Sequence, residues 1–344
     1  MTVNSLFSEL HSKIGDIVPY FELRYKAELA LEINRLKKEK NAVILGHNYM
    51  EPALFFSVTD FRGDSLKLCY EARQTDKDII VFCGVRFMAE TAKVLNPSKI
   101  VLLPSTEAGC SLAASITPQD VRALRQQFPG VPVVAYINTY ADVKAEADIC
   151  CTSANAAAVV QSLLSETVIL IPDEYLARNV ARETGKRIIV PTLHPGEARD
   201  SAVEYQLIGW PGRCEVHEKF TVEDVRNVRK QFPDVLILAH PECSPEVVEA
   251  SDFSGGTSAM IRYVERTSAP CYLLLTECAM SDNIAAVHRD KEILRVCSVR
   301  CSHMNKITLE NTLESLTAIQ HVVELPPDII ERAARAVERM MAVT

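Results

Sequence analysis

The hydrophobic positions of this chain follow two spacings. Residues 20–40 have apolar side chains at helical spacing and end in a basic cluster, which suits a helix C-terminus. After this helix, short apolar runs alternate with amphipathic stretches such as 121–128 and 222–232, a pattern typical of parallel sheets built from strand–helix units. The predicted strands cover 42–46, 79–83, 100–103, 133–137, 149–152, 168–171, 188–190, 235–239, 253–255, 271–275 and 293–297.

Two segments of the chain are copies of one another. TPQDVRALRQQFPGVPVVAYINT, from Thr117, and TVEDVRNVRKQFPDVLILAHPEC, from Thr221, share T-x-x-D-V-R-x-x-R-x-Q-F-P and then a strand. The repeat predicts related structural units. We expect three similar three-layer α/β/α domains with short parallel sheets, over residues 1–109, 110–213 and 214–301. Two closing helices within 302–344, separated near Pro326 and Pro327, are expected to join the first domain.

Composition excludes several classes of protein. The 344 residues carry a net charge of −8, which disfavours a nucleic-acid or anionic-membrane partner because either prefers a basic surface. No apolar run reaches the length that spans a bilayer, and His11, Lys13 and Asp16 lie where the apolar stretch of a signal peptide is expected. We therefore predict a soluble cytoplasmic protein.

Three of the eleven cysteines occupy similar loops. Cys110, Cys214 and Cys301 are separated by 104 and 87 residues, so they fall near the joints between the three predicted units. Reduced cysteines in such a chain point to metal binding or catalysis, and the odd count disfavours a disulfide framework. One hypothesis is that these three cysteines hold one iron–sulfur cluster at the centre of the three units. The alternative is three unrelated thiols, each a small buried apolar residue.

Polar side chains follow five of the predicted strands. In open α/β sheets, ligands bind at the carboxyl ends of the strands, and a helix start such as 257–258 offers backbone N–H groups to an anion. The alternative for the serine, threonine and asparagine residues is helix capping, and for a lone histidine a structural hydrogen bond. His240 beside Glu242 is more specific, because a carboxylate orients an imidazole. Together these groups predict one pocket for a small, multiply anionic substrate. The groups are His47-Asn48-Tyr49, Tyr136 to Thr139, Thr152 to Asn155, His240 to Cys243 and Ser254 to Ser258.

A further segment, GVRFMAETAKVLNP, begins with Gly84 directly after a predicted strand and is expected to continue as a helix. Arg86, Glu90 and Lys93 lie at helical spacing on it. The expectation from the residues alone is a solvated charged face.

This segment, followed by Cys110, G-R-C-E-V-H-E, H-P-E-C and C-S-H-M, resembles the quinolinate synthase family from about Asn41 onward. The resemblance implies three α/β domains with pseudo-threefold symmetry around a [4Fe–4S] cluster. The implied reaction condenses iminoaspartate with dihydroxyacetone phosphate to quinolinate, phosphate and water on the route to NAD. It also implies a functional link to an aspartate oxidase, with a homodimer as one option for the assembly.

Site residues follow from the resemblance position by position. Cys110, Cys214 and Cys301 match the three cluster ligands, which leaves one iron without a protein ligand and the other eight cysteines, Cys297 included, uninvolved. Glu242, His240 and Tyr49 are the implied acid–base groups, and His217 is a weaker match on the cysteine loop. The implied substrate-binding residues are His47, Ser65, Tyr136, Asn138, Ser153, His240, Glu242 and Thr257.

Three features depart from the family pattern. Gly256 stands where the family commonly has serine, Cys278 follows Glu277 before Ala279 where a glycine is often found, and residues 193–209 look like extra sequence. These departures leave open a paralogue that condenses a related substrate, or a cluster-dependent hydro-lyase. A non-catalytic iron–sulfur redox sensor is the rival outside the enzymes, but a sensor needs no pocket lined by such polar side chains.

Overall fold

A computed structural model describes residues 2–191, 205–295 and 299–343 of the chain. Within them, three separate parallel sheets follow one another along the sequence. When the strands of each sheet are counted along the chain, they lie in the order 2-1-3-4 in the first and third sheets and 2-1-3-5-4 in the second. Within each sheet a helix connects successive strands, apart from the last two strands of the second sheet, whose connection lies mostly outside the described residues. The predicted α/β fold with three similar units is confirmed.

The first unit begins with two helices, α1 (Val3–Ile14) and α2 (Tyr20–Glu39), that precede the first sheet. Its remaining elements are β1 (Ala42–His47), α3 (Pro52–Ser57), β2 (Phe61–Gly63), α4 (Ser65–Gln74), β3 (Ile79–Cys83), α5 (Arg86–Leu95) and β4 (Ile100–Leu102). Strand β2 has no apolar run and lies at the sheet edge with Phe61 exposed, which is why the hydrophobic pattern missed it.

The second unit has one strand more than the others. Its elements are α6 (Pro118–Gln127), β5 (Val133–Tyr136), α7 (Ala141–Lys144), β6 (Ile149–Cys151), α8 (Ala156–Ser162), β7 (Val168–Ile171), α9 (Glu174–Thr184), β8 (Ile188–Ile189) and β9 (Leu207–Ile208). Strand β9 was not predicted because it has only two residues, yet both are fully buried. Strand β9 pairs with β7 on one side and with β8 on the other, so β8 is the edge strand. Strand β9 therefore lies next to β7 as β4 lies next to β3 in the first sheet.

The third unit repeats the four-stranded plan of the first. Its elements are α10 (Val222–Gln231), β10 (Val235–Ala239), α11 (Pro245–Ala250), β11 (Phe253–Ser254), α12 (Thr257–Arg266), β12 (Cys271–Leu275), α13 (Cys278–Val287) and β13 (Glu292–Leu294). The predicted last strand, 293–297, extends beyond β13 into residues 296–298, which lie outside the described residues. Ile237 and Leu273 belong to one core and Leu238 and Leu274 to another, because helices cover both faces of the sheet.

Each unit has the same set of contacts between a helix, an aspartate and the central strand of its sheet. In α10, Thr221 and Asp224 form a capping box, and Arg229 pairs with Asp252 at 3.0 Å. Asp252 also accepts the backbone N–H of Ile237 over 2.7 Å, so the carboxylate satisfies a central strand. Arg125, Asp148 and Val133 in the second unit, and Lys37, Asp60 and Ile44 in the first, make equivalent contacts.

The chain closes with the two predicted helices, α14 (Leu309–Ala318) and α15 (Pro327–Met341). Helix α14 packs on α2 and β3, whereas α15 packs on α5, α7 and β6. The last helix therefore joins the first two units, and the predicted domain boundaries stay a prediction. Among the described residues, no helix combines the length and apolar character that crossing a membrane requires.

Candidate active site

The carboxyl ends of the three sheets open into one cavity with about 680 Å³ of empty space. Every site residue predicted from the sequence lines it, although they come from all three units. The lining residues include Cys110, Cys214 and Cys301 with His47, Tyr49, Ser65, Tyr136, Asn138, Ser153, His217, His240, Glu242 and Thr257. The fold thus brings the predicted set together, while the roles of its members stay predictions.

The central strands β1, β5 and β10 each end in a pair of polar residues two positions apart. These pairs are His47 and Tyr49, Tyr136 and Asn138, and His240 and Glu242. The three strands hold the same central place in their sheets, so the pairs occupy equivalent positions around the cavity. Three similar units therefore supply three chemically different pairs.

Both strand-end histidines are held in the same way. The backbone N–H of Tyr49 donates to Nδ1 of His47 over 3.2 Å, and that of Glu242 donates to Nδ1 of His240 over 3.3 Å. A neutral imidazole that accepts at Nδ1 carries its hydrogen on Nε2. In His240 this nitrogen lies 3.4 Å from the hydroxyl of Ser153. Burial lowers the pKa of His47 to about 4 and that of His240 to about 3, so both rings present a neutral N–H donor.

Glu242 is the centre of the polar contacts in the cavity. Its Oε1 accepts the hydroxyl of Tyr136 over 2.5 Å and Nδ2 of Asn138 over 3.0 Å. Its Oε2 lies 2.6 Å from Nδ1 of His217, although the geometry of this short contact is not that of a hydrogen bond. Burial opposes the negative charge, but His217, His240 and the hydrogen bonds together bring the pKa of Glu242 below its usual range. The carboxylate is therefore ionised and fixed from three sides.

The two tyrosines of the cavity are neutral hydrogen-bonding groups. Burial, reinforced by the negative charge of Glu242, raises the pKa of both Tyr49 and Tyr136 well above its ordinary value. Tyr136 donates to the carboxylate, and Oη of Tyr49 lies 2.6 Å from Oγ1 of Thr276. Tyr49 and Glu242 therefore offer a phenol and a carboxylate to the same cavity.

Each of the three predicted cysteines sits at the start of the same local structure. A single turn of 3₁₀-helix follows (Ala113–Ser115, His217–Lys219 and Met304–Lys306), and then a threonine caps α6, α10 or α14. Backbone N–H groups two and three residues further along point to each sulfur, for instance that of Ala113 to Cys110 Sγ over 3.4 Å. Such N–H groups stabilise a thiolate.

The third copy of this element was missed in the sequence. The threonine lies seven residues after the cysteine in all three copies, but T-x-x-D-V-R has become Thr308-Leu-Glu-Asn in the third. Asn311 still completes the capping box with Thr308, as Asp224 does with Thr221. The pattern C-x₆-T could therefore have identified all three copies in the sequence, whereas the longer repeat identifies only two.

The three thiols are costly to ionise on their own. Burial raises the pKa of Cys110 to about 12 and that of Cys301 to about 11, and it raises the pKa of Cys214 as well. A bound cation would offset this cost. Single metal ions hold thiolates about 2.3 Å away, so ligand sulfurs of one ion lie at most about 4.6 Å apart. Among the described residues, only one set of three or more histidine, cysteine or acidic side chains has all its ligand atoms within 4.8 Å of one another, namely Cys214, His217 and Glu242. The three cysteine sulfurs do not form such a set, so they suit a centre larger than a single ion.

None of the seven other described cysteines lines the cavity. They are Cys69, Cys83, Cys150, Cys151, Cys243, Cys271 and Cys278, all buried in the units. Cys297, predicted to be uninvolved, lies outside the described residues. The geometry thus separates Cys110, Cys214 and Cys301 from the rest.

Two helix starts face the cavity beside these groups. Helix α12 begins at Thr257 without a side-chain cap, because its N-cap residue is Gly256. The hydroxyl of Thr257 accepts Nδ2 of Asn48 over 2.8 Å, which leaves its own hydrogen for another acceptor. Helix α4 begins at Ser65, but the carboxylate of Asp64 caps it and adds negative charge. The start of α12 is therefore the better place for an anionic group.

Comparison with known proteins identifies the family. The family described as "Quinolinate synthetase A protein" matches residues 31–342. "Quinolinate synthase 2" of Mesorhizobium japonicum is 49% identical over 342 residues, 99% of this chain and 99% of that protein. "Quinolinate synthase" of Agrobacterium fabrum is 48% identical over 344 residues, 99% of this chain and 94% of that protein.

This chain belongs to the quinolinate synthase family. The predicted family, and with it an enzyme of NAD biosynthesis, is confirmed by these matches. A third relative, "Quinolinate synthase" of Xylella fastidiosa, is 49% identical over 341 residues, 99% of this chain and 95% of that protein.

The family's GVRFMAETAK element is not the solvated face that its charges predicted. Glu90 is only 2% exposed, and its Oε2 accepts the backbone N–H of Ala141 over 2.8 Å. Arg86 pairs with the other oxygen of Glu90 at 2.7 Å and lies over the ring of Tyr140. The expectation was wrong for Glu90, which contacts the second unit and fixes the loop that follows Asn138 in the cavity, whereas the side chain of Arg86 is 55% exposed.

Three further residues lie around the site: Asn48, which belongs to the strand-end groups found from the sequence but was given no role, and Thr276 and Asp173, which were not found. Asn48 orients Thr257, and Thr276 contacts both Tyr49 and His217. Asp173 is 1% exposed, and burial together with the charge of Glu242 raises its pKa well above the ordinary value. Periodicity could not identify the contacts of Asn48 and Thr276, because their partners are far away in the sequence.

Proposed function

We propose that this chain condenses iminoaspartate with dihydroxyacetone phosphate to give quinolinate, phosphate and water. The observation that carries the proposal is the single cavity in which three thiols from three loops meet a fixed carboxylate, a phenol and two neutral histidines. A redox sensor has no need of such a lined cavity. Iminoaspartate has to be supplied by oxidation of aspartate, so an aspartate oxidase is the expected functional partner.

Cys110, Cys214 and Cys301 are the proposed ligands of a [4Fe–4S] cluster. Their sulfurs line one cavity, accept backbone N–H groups, and are too far apart as a set for a single ion. A cluster held by these three thiolates would keep one iron without a protein ligand, and that iron would supply a Lewis acid for a substrate hydroxyl or carboxylate.

Glu242 is the proposed general base. It is ionised, buried and held by Tyr136 and Asn138, so it can take a proton from the carbon beside the carbonyl group of the triose. Tyr49 is a neutral phenol in the same cavity and is the proposed partner for a substrate oxygen. Both groups line the same cavity as the three cysteines.

The remaining polar groups are proposed to bind the negative charges of the substrates. Neutral Nε2–H groups of His47 and His240 donate to carboxylate oxygens without adding a positive charge that would need its own partner. Thr257 and the uncapped start of α12 are suited to the phosphate or to a second carboxylate. Ser65 and Ser153 contribute hydroxyl groups from the first and second units.

Anaerobic preparation and reconstitution of the chain tests this proposal. Wild type should contain about four irons per chain and form quinolinate from dihydroxyacetone phosphate and enzymatically generated iminoaspartate. Cys110→Ala, Cys214→Ala and Cys301→Ala should each lose the brown chromophore or keep a labile remnant.

The matched control is Cys83→Ala, because Cys83 is fully buried in β3 and does not line the cavity. It should retain both iron and activity. Loss of the chromophore from Cys83→Ala to the same extent as from the three ligand variants would contradict the ligand assignment. Absence of quinolinate from a wild type with an intact cluster would contradict the proposed reaction.

A further inference from the structure

A second cavity, called the outer cavity below, lies between the first and third units and has about 850 Å³ of empty space. Asn48, Gly63 and Ser258 are among the residues that line it. The neighbours of the last two, Asp64 and Thr257, line the active cavity instead. Asn48 donates to the hydroxyl of Thr257 over 2.8 Å, so this hydrogen bond is part of the wall between the two cavities.

Three cations line the outer cavity. Arg62 and Lys67 come from the first unit, and Arg262 comes from α12 of the third. None of the three forms an ion pair with a carboxylate of the described residues. The one acidic residue that the described lining contains, Glu265, lies 3.7 Å from Nε2 of His288. In a chain with a net charge of −8, three unpaired positive charges at one cavity favour an anionic ligand.

Arg62 is held at the outer cavity by aromatic rings and one hydroxyl group. Its guanidinium carbon lies 5.0 Å from the ring centroid of Phe55 and 5.3 Å from that of Phe56, and its Nε donates to Oγ1 of Thr59 over 2.8 Å. Burial lowers the pKa of Arg62 below its ordinary value. A phosphate that accepts from the remaining N–H groups of the guanidinium would offset this cost.

Asn283 adds a hydrogen-bond acceptor to the same cavity. It is 5% exposed, and its Nδ2 donates to the backbone carbonyls of Asn48 over 3.2 Å and Met50 over 2.9 Å. These two carbonyls fix which way the amide points, because only the NH₂ group can donate to them. Oδ1 is buried and has no hydrogen-bond partner among the described residues. A buried acceptor without a partner is costly, so a ligand with a hydroxyl group would complement it.

We propose that the outer cavity is a second binding site, for a small phosphate monoester that carries a hydroxyl group. The three cations bind the phosphate, and Oδ1 of Asn283 accepts the hydroxyl group. The proposal rests on the proposed function, in which the substrate dihydroxyacetone phosphate is a compound of this class. The outer cavity captures this substrate beside the wall formed by Asn48 and Thr257, before the substrate enters the active cavity.

The binding test uses glycerol 3-phosphate, which has a phosphate and hydroxyl groups but no carbonyl group that could react. The holoenzyme is first saturated with quinolinate, which occupies the active cavity, and equilibrium dialysis should then show one site per chain. Arg262→Gln and Lys67→Gln should each weaken binding by about 3- to 10-fold, because each removes one charge that faces the phosphate. Propyl phosphate has the same chain length and no hydroxyl group, so it should bind about 2- to 12-fold more weakly than glycerol 3-phosphate.

The matched control is Arg266→Gln. Arg266 lies one turn after Arg262 on α12 and is exposed, but it does not line the outer cavity. The control removes the same charge from the chain and should bind glycerol 3-phosphate as wild type does. Arg262→Lys keeps the charge and should lose less affinity than Arg262→Gln. Equal losses in Arg266→Gln and Arg262→Gln, or wild-type affinity in Arg262→Gln, would overturn the proposed site.

Steady-state kinetics tests the capture of the substrate. With iminoaspartate saturating, Arg262→Gln should lower kcat/KM for dihydroxyacetone phosphate by about 3- to 10-fold and leave kcat unchanged, because Arg262 does not line the active cavity. Its kcat/KM should also depend less on ionic strength than that of wild type. Weaker binding of glycerol 3-phosphate with a wild-type kcat/KM would overturn the capture role and assign the site to a different phosphate ester. A wild type that forms no quinolinate would instead overturn the proposed function, whereas the binding test does not depend on activity.

Discussion

Glu242→Gln is the substitution that most directly tests the acid–base assignment. The amide has nearly the shape of the carboxylate, so its oxygen still accepts from Tyr136 and Asn138, which now contact Oε1 at 2.5 and 3.0 Å. Its NH₂ group faces Nδ1 of His217, which lies 2.6 Å from Oε2 in the native protein. A neutral His217 ring with its hydrogen on Nε2 can accept from this NH₂ group at Nδ1.

The expected magnitudes differ for stability and for catalysis. Glu242→Gln keeps its partners satisfied, so the free energy of unfolding should change little. Glu242→Ala instead leaves the buried Tyr136 hydroxyl and His217 nitrogen without a partner, at about 1–3 kcal/mol each, or about 2–6 kcal/mol together. In catalysis, loss of a general base costs about 10²- to 10⁴-fold, so kcat of Glu242→Gln should fall by that factor.

The assay measures quinolinate formation under anaerobic conditions, together with iron content and urea-induced unfolding. Glu242→Gln should combine a low kcat with the iron content and unfolding free energy of wild type. Glu242→Ala should be impaired in both activity and stability. A Glu242→Gln protein with an intact cluster and a kcat within about tenfold of wild type would refute the reasoning, because the remaining factor is smaller than a general base contributes.

Two further predictions concern pH and the departure at position 256. The pKa values of His240 and His47 are about 3 and about 4 in the folded protein, below the value near 6.5 in the unfolded chain. The unfolded chain therefore binds more protons between these values, and the free energy of unfolding should fall as the pH drops from about 6.5 towards 4. His240→Gln should reduce this slope by up to about 1.4 kcal/mol per pH unit in urea unfolding, and an unchanged slope would contradict the assignment. A Cβ added at Gly256 would lie 3.0 Å from Oγ of Ser153, so Gly256→Ser should change substrate affinity differently in wild type and in Ser153→Ala, with a coupling of about 0.5–3 kcal/mol. Additive effects of the two substitutions would show that they do not interact.

The sequence indicated which residues line the cavity more completely than it indicated the strands, whereas the roles of those residues stay predictions. Strand ends and cysteine loops were recognisable because their residues are consecutive, as in His240 and Glu242 or in the cysteine loop of Cys214. Strand β9 was not recognisable, since two apolar residues define no period. It has the same relation to Cys214 that β4 has to Cys110, so the segment interpreted as extra sequence includes a strand of the common plan.

Contacts between units were beyond sequence reasoning for a physical reason. Tyr49 and Thr276 are 227 positions apart, and Glu90 reaches Ala141 across a domain junction. Helical spacing says which residues share a face, but it does not say what covers that face. A charged face was therefore expected to be solvated, whereas burial of Glu90 is compensated by the backbone N–H of Ala141 and the guanidinium of Arg86.

The three units place equivalent backbone positions around one cavity, and the chemistry depends on their being unequal. Three histidine–glutamate pairs would bring three carboxylates together, and like charges in a buried site raise each other's pKa. Here only the third unit has a carboxylate in its strand-end pair, that of Glu242. The second unit has a phenol and an amide, which both donate to this carboxylate, and the first unit has the phenol of Tyr49. The cysteine loops, by contrast, kept the same N–H pattern in all three units. The three cysteine loops are alike and the three strand-end pairs differ. This combination suits the proposed symmetric cluster and the proposed pair of unlike substrates.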